Sequence, residues 1–139
     1  MTHDCTVSTE LDLRLVVPGG PSLPVVTAVR YDAADPWAVC IAFQTGAQDA
    51  VEWIFARSLL GEGVAGPVGE GDVRVWPALR GRGSVVHLAM ASPSGSAEFE
   101  MDRDELVQFL RRTYAAVPVG AESAAVDLDA ELAQLLSRS

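Results

Sequence analysis

Val51–Gly66, with the sequence VEWIFARSLLGEGVAG, changes character twice and therefore decides how the chain is organised. It begins with apolar residues at alternate positions, Val51, Trp53 and Phe55, which is the pattern of a strand with one buried face. ARSLLGEG then favours a short helix, and the glycines after it favour a loop. Such a passage can build a nucleotide site, or it can close a core at the edge of a sheet.

The segments on either side of this stretch raise the number of predicted strands to seven. They are ELDLRLVV, VVTAVRY, WAVCIAFQ and VEWIFA, followed by DVRVWP, SVVHLAMAS and SAEFEM. Turns such as PGGPSLP and DAADP separate the strands, and GPVGEGD, residues 66–72, is predicted to be a loop. Because hairpin turns join neighbouring strands, we expect a mostly antiparallel sheet.

The third strand, WAVCIAFQ, is apolar on both faces. Its bulky residues fall on one face and its small residues on the other: Trp37, Val39, Ile41 and Phe43 against Ala38, Cys40 and Ala42. A strand that is apolar on both faces is normally covered on both. The small face therefore predicts a close approach by a helix or by a second subunit.

Two helices are predicted at the C-terminal end of the chain. DRDELVQFLRRTYAAV opens with Asp102 and Glu105 at the spacing of a capping box. DLDAELAQLLSR carries a stripe of leucines, namely Leu128, Leu132, Leu135 and Leu136. Strands followed by helices favour an α+β fold in which helices cover one face of the sheet. The length of 139 residues predicts a single domain spanning residues 1–139.

The charge balance argues against nucleic acid as a partner. The formal net charge is −9, and all ten basic residues are arginine. Nucleic-acid binding draws on cations that displace counterions from phosphates, and anionic membrane surfaces also attract basic segments. The N-terminal segment lacks the basic and apolar regions of a signal peptide, and no apolar run reaches the length of a membrane span. We therefore expect a cytoplasmic protein with free thiols and no membrane insertion.

The candidate cofactor, metal and catalytic motifs lack the context or spacing that their chemistry requires. GEGVAG, residues 61–66, has the letters of a dinucleotide fingerprint, but the following Pro67 and Val68 open no helix to hold a pyrophosphate. The cysteines and histidines are not at metal-ligand spacing, and no serine lies in a nucleophile elbow. The sequence therefore predicts no catalytic residue, no cofactor and no metal.

The chain resembles the SsgA-like proteins, a family of sporulation and cell-division regulators from morphologically complex actinomycetes. The blocks that carry the resemblance are RYDAADPWAV, VEWIFARSLL and GDVRVWP, and the similarity continues through FLRRTYAAVPVG and DLDAELAQLL. It implies a non-enzymatic role at division septa, recruiting or positioning the tubulin-like GTPase FtsZ together with SsgA-type proteins. It also implies a homotrimer with a fold like that of the Whirly and mitochondrial guide-RNA-binding proteins.

Partner-binding residues are expected on the strand and short helix of the opening stretch, at the positions Glu52, Arg57 and Glu62, which we predict to be exposed. Two other functions stay open. The three tryptophans and the implied fold allow a module that binds single-stranded nucleic acid. A small-ligand protein or an enzyme that uses His87 is the third hypothesis.

Overall fold

The structure is a computed structural model that describes residues 6–44, 51–93, 95–124 and 134–136. Eight strands form one antiparallel sheet in the spatial order β4-β3-β2-β1-β8-β7-β6-β5. Their bounds are β1 Val7–Leu15, β2 Leu23–Tyr31, β3 Ala38–Phe43, β4 Val51–Ala56, β5 Val68–Glu70, β6 Val73–Arg80, β7 Gly83–Ser92 and β8 Gly95–Asp102. Helices α1 Arg57–Gly63 and α2 Arg103–Ala116 pack with this sheet.

The core lies on the inner face of the sheet, which curls into a half-barrel. In β1 the alternation works as predicted, because Leu11 and Leu13 are buried while Glu10 and Asp12 are exposed. Helix α2 packs into the half-barrel against β1, β7 and β8. The residues that it buries there are Leu106, Phe109, Leu110 and Thr113. One face of the sheet is therefore covered by the chain itself, and the other faces outward.

Helix α1 connects β4 to β5 and contacts both of them as well as β6. It buries Leu59 and Leu60 on the core side. Its last residue, Gly63, is pressed so closely against the side chain of Val75 that a Cβ atom there would collide with it. The opening stretch thus forms a strand and a short helix that pack on the core.

The α+β class, the antiparallel sheet and the N-cap of α2 at Asp102 are confirmed. Only one half of the predicted capping box is observed, because the carboxylate of Glu105 accepts a hydrogen bond from the backbone N–H of Asp12 on β1. The side chain of Asp102 accepts a hydrogen bond from the backbone N–H of Glu105 at 3.0 Å. The strand count of seven is wrong, because residues 68–70 of the predicted loop form a short strand that pairs with β6. A strand of three residues that includes a glycine carries too little alternation to be detected.

Two further expectations concern Trp37, at the start of the third strand, and the last predicted helix. Trp37 does not extend the buried face of the third strand, because β3 begins at Ala38 and Trp37 is 51% exposed. The predicted last helix lies largely outside the described residues, including Leu128 and Leu132. Residues 134–136 are helical, with exposed leucine side chains.

Candidate functional site

The junction between β4 and α1 is built around the side chain of Arg57, which is 2% exposed. One guanidinium nitrogen donates to the backbone carbonyls of Thr113 at 3.1 Å and Val117 at 2.7 Å. The other donates to the carboxylate of Glu122 at 2.9 Å. The last carbonyls of a helix have no partner within the helix, so a buried cation at this end satisfies them and suits the helix dipole.

Two tyrosine rings flank the same guanidinium. Its central carbon lies 5.0 Å from the ring centroid of Tyr31 and 4.9 Å from that of Tyr114, within the range of cation–π attraction. Burial raises the pKa of both tyrosines, and the charge of Arg57 offsets part of that rise. The pKa of Glu122 is lowered, first by a hydrogen bond from its own backbone N–H and then by the bond to Arg57. All charged groups of this cluster therefore have partners.

The expectation that Arg57 is exposed is wrong. In the sequence, Arg57 directly follows the predicted strand VEWIFA, and an arginine at such a position is usually exposed to solvent. Only the fold brings the end of α2 and residues 117–122 around it, some 60 positions further along the chain. Arg57 thus fixes the C-terminal part of α2 against α1, and a direct contact with a partner would require it to leave this cluster.

The other two predicted docking residues are exposed but are held by different elements. Glu52 lies on the outer face of β4 and forms an ion pair with Arg30 of β2 at 2.9 Å. Arg30 also donates to the sulfur of Cys40 at 3.3 Å, and this contact, followed by the attraction of Glu52, raises the pKa of Arg30. Glu62 lies on the exposed side of α1. Glu52 and Glu62 thus lie on two separate elements, β4 and α1.

His87 lies on the outer face of β7 in a layer of polar side chains. Its ring stacks on that of Trp76, with 5.1 Å between centroids and 6° between planes. Its Nδ1 atom lies 3.0 Å from the carboxylate of Glu98, and the neighbouring Glu100, which is 5% exposed, accepts from Arg80 at 2.8 Å. This arrangement satisfies His87 and fixes its ring. Sequence reasoning missed the layer because its members come from three strands.

An apolar hollow is lined by residues of β3, β4, β7 and β8. Its volume is about 300 Å³, and Phe43, Trp53, Met90 and Phe99 lie in its wall. The rings of Phe43 and Phe99 stack with centroids 4.5 Å apart. No charged side chain lines it. Its chemistry suits an uncharged apolar group.

Neither a metal site nor a membrane helix emerges from the described residues. Within ranges 6–44, 51–93, 95–124 and 134–136, no group of three or more His, Cys, Asp or Glu residues could hold a metal ion. No helix in those ranges is long and apolar enough to cross a membrane.

The comparison with known proteins points to one family. A family profile described as "Streptomyces sporulation and cell division protein, SsgA" matches residues 25–122. The sporulation-specific cell division protein SsgB of Frankia casuarinae is 58% identical over 134 residues, which cover 96% of this chain and 93% of that protein. The SsgB of Streptomyces coelicolor is 53% identical over 134 residues, 96% of this chain and 98% of that protein.

Solved structures show the same fold. An SsgA-like sporulation-specific cell division protein from Thermobifida fusca superposes with a TM-score of 0.87 at 43% identity, covering 96% of this chain and 98% of that one. An SsgB structure, described in connection with longitudinal cell division during sporulation of Streptomyces coelicolor, gives 0.84 at 51% identity, covering 90% and 98%. The matches span nearly all of both chains, and within the family the sequence is most like SsgB. The chain therefore belongs to the SsgA family of sporulation and cell-division proteins.

Proposed function

We propose that this chain is a non-enzymatic regulator of sporulation septation that helps to recruit and position FtsZ, acting with SsgA-type proteins as an oligomeric docking scaffold. The observation that carries the proposal is the 58% identity, over 96% of the chain, to a protein named as a sporulation-specific cell division protein. The site geometry supports it, since the buried polar residues serve to hold elements together. Arg57 binds the end of α2, and Glu100 binds Arg80.

Docking needs exposed groups on rigid elements, and two of the predicted residues meet that requirement. Glu52 and Glu62 lie on β4 and α1, which are joined directly at Ala56–Arg57 and held by the buried Arg57 cluster. Their carboxylates suit a partner that presents basic groups, and the net charge of −9 would steer such a partner towards the surface. Charge steering of this kind weakens with salt.

The direct test is co-sedimentation of the purified protein with FtsZ polymers, with and without an SsgA-type protein and with and without a membrane tether. We expect binding in at least one combination, and weaker binding for the double variant Glu52→Ala/Glu62→Ala. A matched control is Glu70→Ala, which removes an exposed carboxylate from β5. Failure of folded wild-type protein to sediment with FtsZ in every combination contradicts the proposal.

We propose further that the protein acts as a homotrimer at division septa. A cyclic oligomer is the simplest way to cover a surface that one chain leaves exposed. The outer side of β2–β4 is such a surface, because Val26 and Ile54 are 66% and 63% exposed. Light scattering on the purified protein tests the trimer, and a single-chain mass at micromolar concentration contradicts it.

A single-stranded nucleic-acid-binding module remains the second candidate function. The observation in its favour is the stack of Trp76 on His87, with the exposed Arg74 nearby on the same strand as Trp76. Base stacking and arginine contacts of this kind bind single strands. Fluorescence anisotropy with a labelled oligonucleotide tests it, because such binding must weaken steeply between low and physiological salt. No binding at low salt removes this candidate.

A further inference from the structure

The two edges of the sheet differ in how well they can receive a further strand. The edge strand β5 has three residues, Val68–Glu70, and lies between Pro67 and the turn glycine Gly71. The opposite edge strand, β4, has six residues, Val51–Ala56, with neither proline nor glycine among them. Within the described ranges of the chain, β4 pairs with β3 on one side and with no strand on the other. The β4 edge is therefore the longer and more regular template for an extended segment.

The hydrogen-bond pattern of β4 shows which backbone groups face this open edge. The N–H of Arg57, the residue after β4, donates to the carbonyl of Trp37 at 2.7 Å. Since bonded and non-bonded pairs alternate along an antiparallel ladder, residues an even number of positions before Arg57, such as Trp53, bond to β3. The N–H and carbonyl groups of Glu52 and Ile54 therefore point away from β3. An extended segment can pair with them, whereas a helix uses its own backbone groups internally.

The side chains of β4 leave this edge unprotected. Natural sheet edges are commonly blocked by lysine, by proline or by an inward-pointing charge. On β4, Val51 and Ile54 are apolar and 44% and 63% exposed. Glu52 is the charged residue of the strand, and its carboxylate points outward to Arg30. An added strand would therefore cover apolar groups without burying an unpaired charge.

The apolar hollow adjoins the same strand. Val51 and Trp53 line it together with Met90, Ala97 and Phe99 from β7 and β8. A strand added beside β4 would lie about 4.8 Å from it, so its inward side chains would continue the row of β4 towards the hollow. None of the described residues that line the hollow is charged, so an inward side chain of the added strand must be apolar. The volume of about 300 Å³ is sufficient for one large apolar side chain.

Charge and packing indicate what kind of segment occupies the edge. Glu52 is 55% exposed, and an outward basic residue of the added strand would lie beside it, where the carboxylate can accept from more than one donor. The net charge of −9 also favours a basic segment. The β4 strand of a second copy fits poorly, because its own inward side chains include Phe55, which is already buried in the core of that copy.

We infer that the open edge of β4 binds an extended basic segment of another protein, which pairs with the backbone of Glu52 and Ile54 and places an apolar side chain in the hollow. Strand addition of this kind takes affinity from main-chain hydrogen bonds and specificity from pockets for alternate side chains. The inference rests on the proposed docking function and specifies the chemistry of the docked segment.

Selection from a phage-displayed library of short random peptides tests this inference on the full-length protein. We expect enriched peptides to combine basic residues with apolar residues at alternate positions. N-methylation of the best synthetic peptide then probes its backbone, with fluorescence anisotropy as the readout. Methyl groups at every second position should weaken binding about tenfold each, because those nitrogens face β4, and methyl groups between them should have little effect. No enriched peptide, or an effect of N-methylation without a period of two, overturns the inference.

Variants of the protein test the same contacts from the other side. Ile54→Pro removes an N–H that does not bond to β3 and should weaken peptide binding about tenfold, whereas Ile54→Ala keeps that N–H and should weaken binding less. Ala97→Leu should weaken binding by partly filling the hollow, and its matched control is Ala78→Leu on β6, outside the hollow. Circular dichroism confirms that each variant folds. The N-methylated peptides need only wild-type protein, so they decide the question if Ile54→Pro does not fold.

Two further measurements separate this inference from other associations. If wild-type protein and folded Ile54→Pro co-sediment equally with FtsZ, the inference is overturned while the docking function stands. If wild-type protein does not co-sediment but binds the selected peptides with the expected period, the edge is a peptide site and the proposed function fails. Light scattering that shows a lower mass for folded Ile54→Pro than for wild type assigns the edge to a second copy and overturns the inference.

Discussion

Replacement of Arg57 by methionine is the perturbation whose cost follows most directly from the structure. Methionine keeps much of the side-chain volume but removes the charge and all the donors. The carbonyls of Thr113 and Val117 then lose their hydrogen bonds in a buried place, and Glu122 loses its cation. Removing one partner of a buried charge pair costs about 3–5 kcal/mol. We expect Arg57→Met to lower the free energy of unfolding by that amount.

The two cation–π contacts of Arg57 with Tyr31 and Tyr114 add to the loss of stability expected for Arg57→Met. A cation–π contact contributes about 0.5–2 kcal/mol, depending on how far it is desolvated, and Arg57 makes two of them. Arg57→Lys keeps the charge but cannot donate in two directions from a planar group. We therefore expect Arg57→Lys to lie between wild type and Arg57→Met in stability.

Urea unfolding followed by far-UV circular dichroism measures the effect at one fixed protein concentration, because self-association would add to apparent stability. The matched control is Arg111→Met on α2, where the arginine is exposed and the change should stay within about 0.5 kcal/mol. A loss below about 1 kcal/mol for Arg57→Met, at an unchanged slope with urea, would refute the view that Arg57 holds α2 in place.

Three further predictions concern other positions. Gly63→Ala should destabilise the fold by about 1–3 kcal/mol, because the added Cβ atom collides with the buried side chain of Val75. Gly66→Ala is the control and should be nearly neutral, because a Cβ atom there meets open space. The midpoints of urea unfolding compare the two variants. Trp53→Ala should cost about 1–3 kcal/mol, less than a fully buried tryptophan, since Trp53 is half-buried, and a cost above 4 kcal/mol contradicts its exposure. The pKa of Glu122 is lowered in the folded state, so its pairing with Arg57 stabilises the fold above the ordinary glutamate pKa of about 4.3 and is lost as the pH falls through the lowered value. Acid titration of Glu122→Gln should lack that loss, and an acid transition identical to that of wild type contradicts the role of the pair.

The exposure of two of the candidate site residues could be predicted from the sequence, but the burial of the third could not. The exposure of Glu52 and Glu62 followed from local pattern alone, because each needs only its own strand or helix to define a face. The burial of Arg57 did not, because its partners are the end of α2 and Glu122, which are distant in sequence. The strand β5 was missed for a related reason, since three residues acquire their conformation from pairing with β6.

The amino-acid sequence by itself determined the alternation of β1, the small and bulky faces of β3, the capped start of α2 and the family resemblance. These depend on neighbours in the chain, whose side-chain directions are fixed by the period of a strand or helix. Only the tertiary structure decided which outward side chains meet across neighbouring strands, in a polar layer on β6–β8 and in a row of small side chains on β2 and β3. That difference arises because strand pairing sets His87 beside Glu100, and Ala42 beside Ala28 and Glu52, from segments that no local pattern connects.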